Sequence, residues 1–325
     1  MDKHYTEHQN RYRSCTLCPR GCRRDRLSQE TGFCGETDEL RIASAVLHFG
    51  EEPPVTGEGG SGTIFVTGCT LQCVFCQNVQ ISQAGMGRPV SADEFSAISL
   101  RLQELGAENI NIVTGSHAAP AIAGALERAK GMGLSIPVLW NSSAYETVEA
   151  LDLLVGLVDG WLPDLKTLNP SVSRKAFNAP DYPEAAAAGI LRMAELCPLV
   201  IENGLLKSGV IMRHLALPGR IEDTRDVLEW FSRNLKGRAL LSLMTQFTPV
   251  GTPPENSGIE YRYINDAEFD RMQRLLEEFG IEDGFYQELA EDSSWLPDFN
   301  NTCPFPSALA RPVWHWKTGL SMERV

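Results

Sequence analysis

Three cysteines fall within Cys69-Thr70-Leu71-Gln72-Cys73-Val74-Phe75-Cys76, a C-x3-C-x2-C run directly after the apolar stretch Thr63-Ile64-Phe65-Val66. Thiolates are soft ligands, and three on one short loop can hold an iron–sulfur cluster, one short of the four that a cubane cluster takes in an ordinary ferredoxin. The remaining iron is then open to another ligand, which separates a catalytic metal site from a structural one. A second group, Cys15, Cys18, Cys22 and Cys34, is a complete set of four. Such a set reads as a structural zinc or as an auxiliary electron-transfer cluster. Pro19 after Cys18 and the nearby three-cysteine loop favour a second Fe–S cluster over Zn. The other two of the nine cysteines, Cys197 and Cys303, read as small buried hydrophobes.

Composition narrows the setting. The 325 residues give room for one large α/β domain and a small appendage. A net charge of −13, from 29 basic and 42 acidic side chains, repels phosphates and argues against general nucleic-acid binding. No apolar run is long enough to cross a bilayer, so no membrane association is expected. The polar start Met1-Asp2-Lys3-His4 has no apolar signal core, and the cysteine usage suits metal chemistry in a cytoplasmic protein. Arg11, Arg13, Arg20, Arg23, Arg24 and Arg26 surround the quartet. They read as a solvated basic face offsetting thiolate charge, or as a docking surface for an acidic partner.

Strand and helix patterns alternate along residues 61–290. Strands are expected at 62–67, 109–114, 136–140, 160–166, 209–217 and 239–247, with helices near 92–105, 119–131, 183–196 and 222–235. Capping boxes are expected at Ser91–Glu94 and Ser143–Glu146, the latter opening a helix to about 155. A last helix opens at Asn265-Asp266-Ala267-Glu268, with Phe269, Met272, Leu275, Leu276 and Phe279 on one core-facing stripe. Strand–helix alternation implies parallel βαβ units, whose chemistry gathers at the C-terminal ends of the strands. The expected division is a Cys-rich segment at 1–58, a core at 59–290 and an extension at 291–325.

The run C-x3-C-x-aromatic-C, with Phe75 as the aromatic, resembles the signature of the radical S-adenosylmethionine (radical SAM) superfamily. The resemblance implies an α/β fold, a (β/α)6 partial TIM barrel, here carrying a small N-terminal four-cysteine metal-binding segment. It also implies a [4Fe–4S] cluster on Cys69, Cys73 and Cys76, with SAM on the open iron. An electron from the cluster would break a carbon–sulfur bond and release a 5′-deoxyadenosyl radical that abstracts hydrogen. By the same resemblance Phe75, Gly115, Ser116, Asp164, Lys166 and Arg213 are cofactor-binding candidates. Lys166 and Asp164 come from an Asp-Leu-Lys segment, Gly115 and Ser116 from the position of a glycine-rich segment whose usual acid is missing here. Arg213 is expected to face SAM or substrate carboxylates. His117 is open between a proton donor, a SAM contact and an ordinary loop residue.

Nearly the whole chain resembles the PflX-like branch related to pyruvate formate-lyase activating enzyme. The shared segments include His48-Phe49-Gly50-Glu51-Glu52-Pro53-Pro54, Cys76-Gln77-Asn78, Leu162-Pro163-Asp164-Leu165-Lys166 and Arg213-His214-Leu215. This branch implies an oxidoreductase that abstracts hydrogen from an unidentified substrate, as an activase on a glycyl-radical enzyme or on a small molecule. One departure is that the additional cysteines precede the three-cysteine loop, whereas activating enzymes place theirs after it. Modification of another protein or of RNA is the alternative within the chemistry, and a non-enzymatic Fe–S or Zn scaffold the alternative outside it. An electron donor such as ferredoxin or flavodoxin and a protein substrate are the implied partners.

Overall fold

A computed structural model describes residues 8–251, 258–289 and 293–321. Its strands are β1 (Arg41–His48), β2 (Ser61–Val66), β3 (Arg88–Pro89), β4 (Asn109–Val113), β5 (Val138–Ser142), β6 (Gly160–Pro163), β7 (Val200–Glu202), β8 (Leu205–Leu215), β9 (Leu240–Met244), β10 (Gly284–Tyr286), β11 (Ala310–His315) and β12 (Gly319–Leu320). Its helices are α1 (Pro53–Thr56), α2 (Val79–Ser82), α3 (Ala92–Glu104), α4 (Ala119–Gly131), α5 (Val148–Asp152), α6 (Pro170–Phe177), α7 (Tyr182–Leu196), α8 (Ile221–Asn234) and α9 (Asp266–Glu278).

The hydrogen-bonded order is β10-β9-β8-β6-β5-β4-β2-β1-β11-β12. Every pairing from β2 through β10 on this path is parallel. The order does not close on itself, so the parallel part is the open barrel expected from the alternating pattern. It holds one strand more than expected. The added strand, Gly284-Phe285-Tyr286, pairs in parallel with β9 and is too short to show a period in the sequence.

Residues assigned above to the flanking segments also form strands. β1 pairs antiparallel with β2, and β11 pairs antiparallel with β1. Both carry fully buried side chains, among them Ile42, Ala45, Val46 and Trp314. The segment after β1 runs into the barrel. Val55 of α1 packs with Leu139, Leu162, Leu206 and Ile211, which come from three neighbouring strands. Asn109 of β4 donates to the Val55 carbonyl at 2.6 Å, tying this plug to the sheet.

Helix starts differ in how they are capped. Asn265 and Glu268 form the full reciprocal box at α9. At α3, Ser91 accepts from the Glu94 amide at 3.1 Å. The Glu94 carboxylate turns instead to Arg88 and to Trp314 Nε1. The box expected at Ser143–Glu146 does not form. Glu146 is buried and accepts from Ser116 Oγ at 2.7 Å and Trp140 Nε1 at 3.0 Å, while Thr147 caps the short α5. Two fixed donors in the core hold that carboxylate more firmly than one local amide would. The third strand begins two residues later than expected, at Val138, because Pro137 cannot donate to the ladder. Among the described residues no helix is long and apolar enough to cross a membrane.

Candidate active site

β2 is buried throughout and delivers the three-cysteine loop at its C-terminal end. Gly68 opens the loop at φ +90°, where a Cβ would stand 2.4 Å from Glu36 Cγ and 3.0 Å from the Cys34 carbonyl. Only glycine allows this approach. The loop is then fixed from several sides. The Cys69 amide donates to the Cys34 carbonyl at 3.4 Å, and Gln72 Nε2 donates to the Phe33 carbonyl at 2.8 Å. The Val74 amide donates to Ala176 at the end of α6, and Gln83 Nε2 donates to the Cys73 carbonyl. The Leu71 amide points at Cys69 Sγ, 3.4 Å away, an arrangement suited to an electron-rich sulfur.

Cys69, Cys73 and Cys76 all line one cavity of about 400 Å3, a size that suits a small-molecule site. Its wall also carries Phe75, Asp164, Lys166 and Arg213. Lys166 Nζ and Asp164 Oδ2 pair at 2.6 Å. Burial alone would lower the Lys166 pKa, but the charges of Asp164 and Cys73 raise it, so the side chain stays a cation. Burial pushes the Cys73 and Cys69 thiols up, and Lys166 opposes this for both. All nine cysteines are free of disulfides. Among the described residues no three Cys, His, Asp or Glu side chains already stand as a metal-holding group. The fit to an iron–sulfur cluster therefore rests on donor type and placement: three unpaired soft donors on one braced loop, at the wall of a cavity that also holds a buried cation.

Arg213 is placed differently from the expectation that it faces a ligand carboxylate. It reaches the cavity wall, yet its guanidinium is taken by two acids of the plug. Nε donates to Glu52 Oε1 at 2.9 Å, and Nη2 bonds both Glu51 and Glu52. Burial would raise Glu52, but the Arg213 charge and hydrogen bonds from Arg213 and Ser242 hold it below the usual carboxylate range. Glu51 itself lines the cavity. The sequence did carry a sign of this cluster: Glu51-Glu52 ahead of Pro53-Pro54 is a pair of acids at the start of a buried helix.

A model of the Radical SAM superfamily matches residues 63–231. The chain belongs to the radical SAM superfamily. An uncharacterized protein of Methanocaldococcus jannaschii is 29% identical over 283 residues, 84% of this chain and 77% of that protein. Among solved structures, SuiB of Streptococcus suis bound to S-adenosylmethionine is similar at a TM-score of 0.49 and 12% identity. That match covers 67% of this chain and 47% of SuiB, so the chain spans less than half of SuiB's length. Methylornithine synthase is similar at a TM-score of 0.47 and 14% identity, over 69% of this chain and 70% of that one.

Two of the remaining radical SAM candidates sit away from the cavity wall. Gly115 backs onto the core, where a Cβ would lie 2.6 Å from Trp140 and 2.9 Å from Ile122. Ser116 is buried and spends its hydroxyl on Glu146. Thr114, at φ +62°, lines the cavity in their place. His117 is buried as well, its pKa pushed down to about 3 by burial and by Arg26. Its carbonyl accepts from Arg26 Nη1 at 2.7 Å, so it braces the space between the cysteine groups.

The N-terminal quartet packs behind the loop. A Cβ on Gly32 would stand 3.3 Å from both Cys22 Sγ and Cys34 Sγ, so these two sulfurs flank that glycine. Arg26 Nη1 is 3.6 Å from Cys15 Sγ. Burial pushes Cys18 up to about 12, helped by the charges of Cys15, Cys34 and Cys22. Arg20 and Arg26 do not join a solvated basic face. Arg26 is buried, and Arg20 stacks on Phe33 while donating to the Thr70 and Phe177 carbonyls. Arg11, Arg13, Arg23 and Arg24 remain exposed.

Proposed function

We propose that Cys69, Cys73 and Cys76 hold the [4Fe–4S] cluster of a radical SAM oxidoreductase and that SAM occupies the adjoining cavity. The observation that carries this reading is the convergence of the three thiols, Phe75 and the Lys166–Asp164 pair on one cavity. The cluster, when bound, supplies the electron that splits SAM into methionine and a 5′-deoxyadenosyl radical, which takes a hydrogen atom from the substrate. The chain's own residues hold and shield these groups. Lys166 offers a fixed positive charge for the SAM carboxylate, partly screened by Asp164. Phe75, packed edge-on to Phe177 at 6.1 Å, keeps the third cysteine's side of the loop dry. Reconstituted protein reduced under anaerobic conditions should show an electron paramagnetic resonance signal that changes on adding SAM. A signal that ignores SAM, or that survives in the triple variant C69A/C73A/C76A, contradicts this reading.

The finer reading is a PflX-like activase that abstracts hydrogen from a glycine of a partner protein, with ferredoxin or flavodoxin as reductant. The N-terminal quartet fits a second Fe–S cluster, because its chain is bonded to the three-cysteine loop through the Cys34 carbonyl and the Cys69 amide. Metal analysis then finds roughly eight irons per chain, two cubane clusters' worth. About one zinc and four irons would make the quartet a structural zinc site.

A further inference from the structure

The cavity floor carries more negative charge than its own residues neutralise. Lys166 answers Asp164, whereas Arg213 alone answers both Glu51 and Glu52. These groups are removed from bulk water: the Glu51, Glu52 and Arg213 side chains are 14%, 7% and 8% exposed. An uncompensated carboxylate at such depth is costly unless something cationic meets it. Glu51 is the member of the cluster that both lines the cavity and lies nearest to being open.

A second observation points the same way. Asn111 lies fully buried on the inward face of β4, two residues before Val113, which lines the cavity. Its Nδ2 donates to Glu51 Oε1 at 3.1 Å, which fixes the amide's orientation, since a flip would set its oxygen against the carboxylate. Its Oδ1 then has no hydrogen-bond donor among the described residues. An unsatisfied buried acceptor beside a surplus carboxylate is a seat lacking both a positive charge and an N–H donor.

We propose that Glu51, with Asn111 Oδ1 beside it, receives the protonated amine of the substrate at the floor of the cavity. Asn111 accepts one N–H and Glu51 supplies the countercharge, while Arg213 holds Glu51 in place from the other side. Glu51 and Asn111 act as specificity determinants, and the substrate class is an organic amine rather than a carboxylate directed at Arg213. Assigning the seat to substrate rests on the radical SAM reading of the same cavity.

The test uses the anaerobically reconstituted full chain and three probe salts at constant ionic strength. Methylammonium chloride is expected to raise Tm saturably, by about 2–4 °C at roughly ten times its Kd. Tetramethylammonium, which has no N–H, should not. In Glu51→Gln, which keeps the shape and the Asn111 contact, the rise is lost while SAM affinity changes less than about twofold. Asn111→Leu leaves the charge unaltered and is expected to weaken the methylammonium response at least about fivefold, which decides the matter if Glu51→Gln does not fold. Equal responses to all three probes, a rise that persists in both variants, or a potassium response matching methylammonium would overturn the proposal. A parallel loss of SAM affinity in Glu51→Gln would overturn the assignment to substrate. SAM cleavage by the same preparation separates the two readings: if it proceeds without any methylammonium response, only the amine seat falls.

Discussion

Lys166 and Asp164 show how much one buried pair can be asked to do. They stand two residues apart at the end of β6, 16% and 23% exposed, with the amine 2.6 Å from the carboxylate. Lys166→Met leaves Asp164 half-desolvated without its partner and is expected to destabilise the protein by about 2 kcal/mol, less than for a fully buried pair. The double change with Asp164→Asn should recover most of that loss. Urea unfolding measures both. If SAM affinity fails to recover along with stability, Lys166 has a binding role beyond its ion pair. Arg213 gives the opposite lesson. Its place at a strand end was legible from the sequence, but its partners were not, because Glu51 and Glu52 lie about 160 positions earlier and meet it only through the plug in the barrel. No local spacing encodes such a contact.

At the scale of elements, the alternation of strand and helix was readable because each parallel strand is an apolar run with a turn signal behind it. β10 escaped because three residues cannot show a period, and β1 escaped because attention to cysteines hid the apolar run Ile42–Leu47. The Ser143–Glu146 box failed for a stated reason: Ser116 and Trp140 compete for the same carboxylate and win. Gly115 and Ser116 were placed at the right strand end but on the wrong face, turned toward Trp140 and Glu146. Gly115→Ala therefore tests packing. The added methyl meets Trp140 at 2.6 Å and should cost about 1–3 kcal/mol of stability, as overpacking does. SAM affinity, measured where the variant is still folded, should change little. A large loss of affinity with unchanged stability would return Gly115 to the binding site.

For the whole molecule, the fold joins its ends. β1 and β11 extend the sheet beyond β2, and the N-terminal cysteines lie against the loop that follows β2. The same burial makes stability depend on pH. His214 donates Nδ1–H to the Leu165 carbonyl at 2.7 Å and faces Thr224 Oγ1 with Nε2. Burial pushes its pKa down to about 4 from the ordinary 6.5. Between these values the unfolded chain binds the proton and the folded chain does not, so stability is full above pH 6.5 and falls as pH drops toward 4. The loss is up to about 1.4 kcal/mol per pH unit. His117, held down to about 3, acts in the same direction. In His214→Gln the slope of unfolding free energy across this window should flatten by up to about one proton. An unchanged slope would mean that the imidazole is already charged in the native state.

The decisive measurement is SAM cleavage by the reconstituted, reduced protein, followed as 5′-deoxyadenosine and methionine. Wild-type protein is expected to form both products in equal amounts, and Cys69→Ala, folded and with the N-terminal quartet intact, to form neither. Product formation at the same rate in wild type and Cys69→Ala, or none in wild type carrying a full complement of iron, would contradict the assignment of the three-cysteine loop.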